Sequence, residues 1–374
     1  MQVAFVMEQT LGHSTYAHNL RDVLDEQGGV GVTWLSVPFE AGGVTRFIPL
    51  LRGNWSIRAG WRARRTLRTA LAESRHDAVF FHTQVTALLS VAVMRRLPSV
   101  ISLDATPINY DSVGKPYGHR PTGRGFLDRQ KHRINRQAFH AAVGLVTWSN
   151  WARRSLFDDY GVDSARVRVI PPGAAGCFFE LGERRAAGGP APTRSEPVRL
   201  LFVGSDFRRK GGADLLACLQ GPLSERCQLD LVTQEAPEPS NNVRIHRDVR
   251  PNSPELTRLF AAADIFVLPS LADCSPMALM EASAAALPVV TTDVGALGEI
   301  VIDRESGFIV RPGDRAALRH ALDTLVADAD LRPRIGRAAL AVARRKFDAG
   351  RNGRALLDFV IGAAQAGSTR SKVA

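Results

Sequence analysis

The stretch LPSLADCSPMALMEA, residues 268–282, runs from the end of a short apolar strand into a helix. Ser275 followed by Pro276 reads as the helix start, with the hydroxyl as cap and the proline in the first helical position. A helix placed there turns the positive end of its dipole toward whatever lies beyond the strand at 265–268. Asp273 sits in the loop just before it, and Glu281 lies one to two turns inside. Two carboxylates flanking a helix N-terminus can accept hydrogen bonds from sugar or ribose hydroxyls while the helix end holds phosphate. A loop-capping Asp273 and a surface Glu281 fit the same spacing.

Outward from this stretch, short apolar runs alternate with longer helical patterns, which predicts an α/β fold with parallel sheets. In the first half, residues 2–7, 77–81, 99–103, 145–149 and 167–171 read as strands, with a helix near 15–27. Residues 173–197, rich in Gly, Ala, Arg and Pro, read as a connection. A second series follows, with strands at 198–203, 229–233, 243–246, 265–268, 288–291 and 307–310, and a helix at 212–219. The expectation is two Rossmann-like domains, 1–172 and 198–350, facing an interdomain cleft, with ligands beyond the carboxyl ends of the strands. A last helix, about 351–365, would cross back to the first domain.

The turn after 198–203 is Gly204-Ser205-Asp206-Phe207-Arg208-Arg209-Lys210-Gly211-Gly212. Its glycines permit close backbone approach, the following helix presents free N–H groups, and three adjacent cations suit a diphosphate. A solvated basic turn is the plainer alternative. G-x-G-x-x-G is absent here and also after the first strand, where Gly12 stands alone, so NAD binding is disfavoured.

The 374 residues are 45% hydrophobic and 23% charged, a globular balance that excludes disordered, collagenous and disulfide-scaffold classes. Cys177, Cys218, Cys227 and Cys274 form no C-x-x-C pair, which argues against a zinc cluster and suits a reducing compartment. No signal peptide or membrane-spanning run is visible. A cytoplasmic protein is expected, at most peripheral on the inner face of the membrane. Charge is uneven: residues 1–172 hold 22 Lys and Arg against 13 Asp and Glu, which is +9 of the total +11. Arg52, Arg58, Arg62, Arg64, Arg65, Arg68 and Arg75 interleave with Trp55, Ile57 and Trp61. A second run, 115–136, sets seven cations against Asp128. Such segments suit an anionic membrane surface, although an arginine-rich solvated face is the plainer reading. Nucleic acid is disfavoured because no binding module accompanies the charge.

The spacing of Asp273 and Glu281 resembles the E-x7-E motif of the family-4 retaining glycosyltransferases, which have the GT-B fold. The pattern PS…D-x7-EA…LPVVTTDVGALGEIV…SGFIV over residues 269–310 carries the same resemblance, as do LLFVGSDFRRKGG and VTWSNWARRSLFDDYGVDSARVRVIPPG upstream. The resemblance implies that Lys210 binds the diphosphate of a nucleotide-sugar donor and Glu281 the ribose hydroxyls. Asp273, standing where the family has Glu, would contact the transferred sugar. Gly204, Ser205, Arg209 and the backbone around Ser275, Pro276 and Met277 would complete the donor site, with residues 247–249 near the base. Three departures stand out. Ser205 replaces a second diphosphate-binding Arg, leaving Arg208 or Arg209 to substitute. Asp273 is one methylene short of Glu. Cys274-Ser275-Pro276 replaces a commoner Gly-aromatic-Gly run.

In the first domain, Asp104 follows the strand 99–103, where many members place a His near the reacting sugar. A carboxylate there would stabilise positive charge at the anomeric carbon, bind acceptor, or cap its own loop. His82 and Gly12 are further acceptor-side candidates, and His13 and His119 weaker ones. The implied reaction moves a sugar, with retention, from a nucleoside diphosphate sugar to a glycan, lipid-linked or other acceptor. Lys210, a nearby arginine and the helix end would stabilise the leaving diphosphate, so neither metal nor cofactor is expected. No convincing D-x-D motif follows a strand. The alternatives are a nucleotide-sugar epimerase, a phosphorylase, or an inactive GT-B scaffold or glycan-binding protein, the last two kept open by Ser205 and Asp273.

Overall fold

The computed structural model describes residues 1–10, 12–38, 55–118, 125–188, 197–235 and 241–373. Arg52, His119 and residues 189–196 of the expected connection lie outside them. The chain divides into two compact units, one of residues 1–111, 120–171 and 350–374, the other of residues 112–119 and 172–349.

The first unit holds a parallel six-stranded sheet: β1 (Gln2–Gln9), β2 (Gly31–Pro38), β3 (Ala78–His82), β4 (Ser99–Leu103), β5 (Gly144–Thr147) and β6 (Val167–Val169). Their order is β2-β1-β3-β4-β5-β6. β3, β4 and β5 are buried at every residue, which is why they read as continuous apolar runs. β2 has no counterpart in the sequence reading. It is an edge strand, half-buried over its first four residues, so no continuous apolar run marks it. The strand expected at 145–149 stops at Thr147, because Ser149 caps the helix Asn150–Asp158 by accepting from the Ala152 N–H at 3.1 Å.

The C-terminal helix runs Ala349–Val373, longer than the expected 351–365. Residues 350–374 cluster with the first unit. There Gly353 lies against Val23 and Leu20, Gly144 lies under the Phe359 ring, and Asn352 Nδ2 donates to the Pro171 carbonyl at 3.1 Å.

The second unit holds another parallel six-stranded sheet: β7 (Val198–Val203), β8 (Cys227–Val232), β9 (Val243–His246), β10 (Ile265–Leu268), β11 (Val289–Thr292) and β12 (Gly307–Val310). Its order, β12-β11-β10-β7-β8-β9, is the doubly wound arrangement, with the chain reversing direction across the sheet between β7 and β10. The stretch expected as a connection contains the helix Gly176–Ala186, whose Phe178 is fully buried. Arg185 on that helix donates to the carbonyls of Phe260 at 2.6 Å and Ala285 at 2.8 Å, and to Ala261 and Ala263 at 2.9 Å. It thereby satisfies carbonyls left open at the C-terminal ends of two helices, Pro254–Ala262 and Met277–Ala284. No helix among the described residues is long and apolar enough to cross a membrane.

Candidate donor site and the polar pole of the first unit

In an open parallel sheet, the two loops at the point of reversal splay apart at the carboxyl edge and leave a crevice. In the second unit these are the turn after β7, residues 204–211, and the loop after β10, residues 269–276. Two glycines press on the second loop. Gly211 (φ 78°) lies so close to the Pro269 carbonyl that a Cβ would overlap it, and Gly295 (φ 57°) stands in the same relation to the Asp273 carbonyl. Three hydrogen bonds pin the loop further: Leu271 N–H to the Arg209 carbonyl (2.8 Å), Ala296 N–H to the Cys274 carbonyl (2.9 Å), and the Thr292 hydroxyl to the Ser270 carbonyl (2.6 Å).

These contacts bring Lys210 and Asp273 together. Lys210 Nζ lies 2.7 Å from Asp273 Oδ2. Arg209 Nη1 is 3.7 Å from the same oxygen. Arg209 is buried, and its guanidinium also binds Asp206 Oδ2 (2.8 Å), the Ala272 carbonyl (2.8 Å) and the Tyr117 hydroxyl (3.2 Å). Its Cζ sits over the Tyr117 ring, 4.3 Å from the centroid. Arg209 is thus engaged as a brace. The neighbouring Arg208 is exposed.

Glu281 is buried rather than on the surface. Burial pushes its carboxyl up to about 7, opposed by the Lys210 charge. The helix carrying it begins at Met277, and the expected start is corrected: Pro276, extended at φ −71° and ψ 125°, is itself the cap position, and no side chain caps this helix. Ser275 therefore lies one residue outside, buried in the loop. Gly204 packs against the Lys210 side chain and commits its N–H to the Val232 carbonyl at 2.9 Å. Ser205 is exposed, its carbonyl accepting from the Thr233 hydroxyl at 3.2 Å. Arg247, after β9, is exposed, and Asp248 has φ 59°.

The first unit has a polar cluster at its own point of reversal, between β1 and β3. His13 Nδ1 lies 2.7 Å from His82 Nε2, and His13 Nε2 lies 3.7 Å from Asp104 Oδ2. His82 is fully buried, stacked on Trp148 at 5.2 Å with Tyr16 tilted against it at 4.8 Å. Burial, with the neighbouring His13, holds the His82 imidazole well below its usual value. Burial raises the Asp104 carboxyl, opposed by His13. His13, a weaker candidate from sequence, is therefore the link between the two stronger ones. Gly12, at the start of the helix Gly12–Gln27, is exposed with open space around it. Sequence reasoning missed Trp148, Tyr16 and the pair Glu8–Thr83, whose hydroxyl donates to Glu8 Oε2 at 2.5 Å. Glu8, a charged residue directly following the apolar run 3–7 of β1, was the available signal.

Two family models match the chain: "Glycosyltransferase Family 4" over residues 11–174 and "Glycosyl transferases group 1" over residues 197–328. A glycogen synthase of Mycobacterium tuberculosis is 29% identical over 314 residues, covering 80% of this chain and 71% of that protein. Among solved structures, the sucrose-phosphate synthase of Thermosynechococcus elongatus superposes with a TM-score of 0.77 at 17% identity, covering 98% of this chain and all of that one. HepE of Anabaena, solved in complex with UDP, superposes at 0.68 and 16% identity, covering 97% of this chain and all of that one. With one family model on each unit and two doubly wound parallel sheets of the GT-B kind, the chain belongs to the group 1 glycosyltransferases of family 4.

Proposed function

We propose that this glycosyltransferase takes a hexosyl group from a nucleoside diphosphate sugar and passes it, with retention and without a metal ion, to a glycan, lipid-linked or other hydroxyl acceptor. The observation that carries the reading is the meeting of Lys210, Asp273 and buried Glu281 at the reversal point of the second sheet. A uridine diphosphate in the Anabaena neighbour supports the donor class.

The roles follow from charge. As the bond to the sugar breaks, the diphosphate gains negative charge, and Lys210 is the cation at the turn able to swing from Asp273 to it. Arg208, exposed beside it, takes the place of the arginine that Ser205 lacks, because Arg209 is already engaged. The N-terminal end of the helix Met277–Ala284 adds a favourable dipole. Asp273, once released by Lys210, accepts from hydroxyls of the sugar, and Glu281 from those of the ribose. Two or more cations with a helix end can balance a diphosphate, which is the physical basis for dispensing with a metal.

The pole formed by Asp104, His13 and His82 is assigned to acceptor recognition, with Asp104 accepting from an acceptor hydroxyl. The epimerase and inactive-scaffold alternatives are not favoured by the family models or the relatives. The test is a donor-hydrolysis screen over uridine, guanosine and adenosine diphosphate sugars without added acceptor. Release of nucleoside diphosphate from one class, lost in Lys210→Ala, is the expected outcome. No release from any of them contradicts the reading.

A further inference from the structure

Apart from Met1, the large hydrophobic side chains exposed among the described residues are Ile57, Trp61, Ile108, Phe126, Leu127 and Ile134. All belong to the first unit. Phe126 and Leu127 stand out, at 65% and 72% exposure. They open the helix Phe126–Ala141, while Ile57 and Trp61 lie in the first turns of the helix Trp55–Glu73.

Both helix starts sit at the carboxyl edge of the first sheet. Arg62 donates to the carbonyl of Pro38, the last residue of β2, at 2.8 Å. Gly60 packs against the Val85 carbonyl, three residues past the end of β3. Lys131 binds Asp111 at 3.0 Å, just beyond β4 in the helix Pro107–Val113 that also exposes Ile108. The two long helices flank the short helix Gln84–Ala87 in one layer, as right-handed crossovers running the same way across a sheet require.

In both helices the apolar side chains come first, at the rim, and arginines follow one to three turns behind. Ile57 and Trp61 precede exposed Arg64, Arg65 and Arg68 along one helical stripe, with the Arg65 guanidinium 5.8 Å from the Trp61 centroid. Phe126 and Leu127 precede Arg129, Arg133 and Arg136, all exposed. An aliphatic and aromatic tip backed by guanidinium groups matches the depth profile of a bilayer surface, acyl boundary first and lipid phosphate next. A polyanion such as nucleic acid offers the phosphates and no apolar layer to receive Phe126 and Leu127.

We infer that this rim of the first unit docks on an anionic lipid bilayer, with Phe126, Leu127 and Trp61 entering the acyl boundary and the arginines behind them on the phosphates. The Asp104–His13–His82 pole lies at the carboxyl edge of the same sheet, so docking presents it to the membrane. That last consequence rests on the acceptor role proposed above; the docking itself does not.

The test is flotation of the full chain with vesicles of phosphatidylcholine mixed with phosphatidylglycerol, and with phosphatidylcholine alone, at low and high salt. The wild type is expected to float with the mixed vesicles at low salt and to be largely released by high salt. Phe126→Ser/Leu127→Ser is expected to bind about tenfold or more weakly while its melting temperature stays near wild type. A wild type that does not float with mixed vesicles overturns the inference. So does a double variant that floats as well as wild type, which would leave only a charged surface, and so does retention on heparin without vesicle binding. The donor-hydrolysis screen reads the donor site separately, so failure of docking and failure of the transferase reading are distinguishable.

Discussion

Lys210 Nζ lies 2.7 Å from Asp273 Oδ2, with the two side chains only 14% and 10% exposed. The pair joins the two loops at the reversal point of the second sheet, so it couples the turn that would hold diphosphate to the loop that would hold sugar. Removing either partner leaves a poorly solvated charge behind, yet the two removals have different consequences. Asp273→Asn is expected to lower turnover by about 10²–10³ while binding of bare nucleoside diphosphate is kept or tightened, because Lys210 no longer has a competing carboxylate. Steady-state kinetics beside calorimetric titration of the diphosphate checks this, and equal loss of both would contradict it.

Glu281 supplies a pH signature. Burial raises its carboxyl from 4.5 to about 7 in the folded chain. Between those values the folded chain keeps a proton that the unfolded chain has lost. Stability therefore falls as pH rises through that window, by up to about 3 kcal/mol. Glu281→Gln is expected to remove this slope in urea unfolding measured at a series of pH values. Ribose hydroxyls donate best to the ionised form, so donor affinity should rise toward pH 7 and flatten in the variant.

Gly295 makes a test of loop shape that changes no charge. Its left-handed backbone (φ 57°) and its closeness to the Asp273 carbonyl leave no room for a Cβ. Gly295→Ala is expected to cost about 1–2 kcal/mol from backbone conformation alone and to displace Asp273. Donor turnover should fall well beyond what the drop in melting temperature explains. Gly298→Ala, where open space surrounds the glycine, is the control and should leave both near wild type.

The first unit can be probed separately. His13 bridges His82 and Asp104, so His13→Ala removes the partner that counters the burial of Asp104. The Asp104 carboxyl is then expected to rise further. Acceptor KM should increase, and its pH profile should move to higher pH, while donor hydrolysis without acceptor is unchanged. An unchanged acceptor KM would remove the pole from acceptor recognition.

The parts of this molecule that could be read from sequence are those where one local pattern decides the outcome. β4, β7, β10 and β12 fall on the predicted residues because each is a short, largely apolar run bounded by turn residues, and β9, Val-Arg-Ile-His, does so through its alternation of apolar and polar residues. The edge strand β2, with only partial burial, has no such signature. At the proposed donor site, the sequence pointed to Lys210, Asp273 and Glu281, which the structure brings to one point of the second sheet. That Arg209 is spent on Asp206, Ala272 and Tyr117 was not, because Ala272 and Tyr117 lie 63 and 92 residues away in sequence. The start at Met277 also escaped, since Ser-Pro reads as a cap and first turn whether or not the proline's ψ is helical. His13 was undervalued for the same reason as Arg209: its meaning depends on His82, 69 residues on.

Donor recognition by the Lys210 turn is tested most directly by thermal unfolding with uridine, guanosine and adenosine diphosphates, for the wild type and Lys210→Ala. At least one diphosphate should raise the wild-type melting temperature, by the equivalent of about 2.7 kcal/mol at a hundredfold excess over Kd. The same diphosphate should leave Lys210→Ala unmoved. A wild type that shifts with none of them, or a variant that shifts as far as wild type, would contradict the assignment of this site.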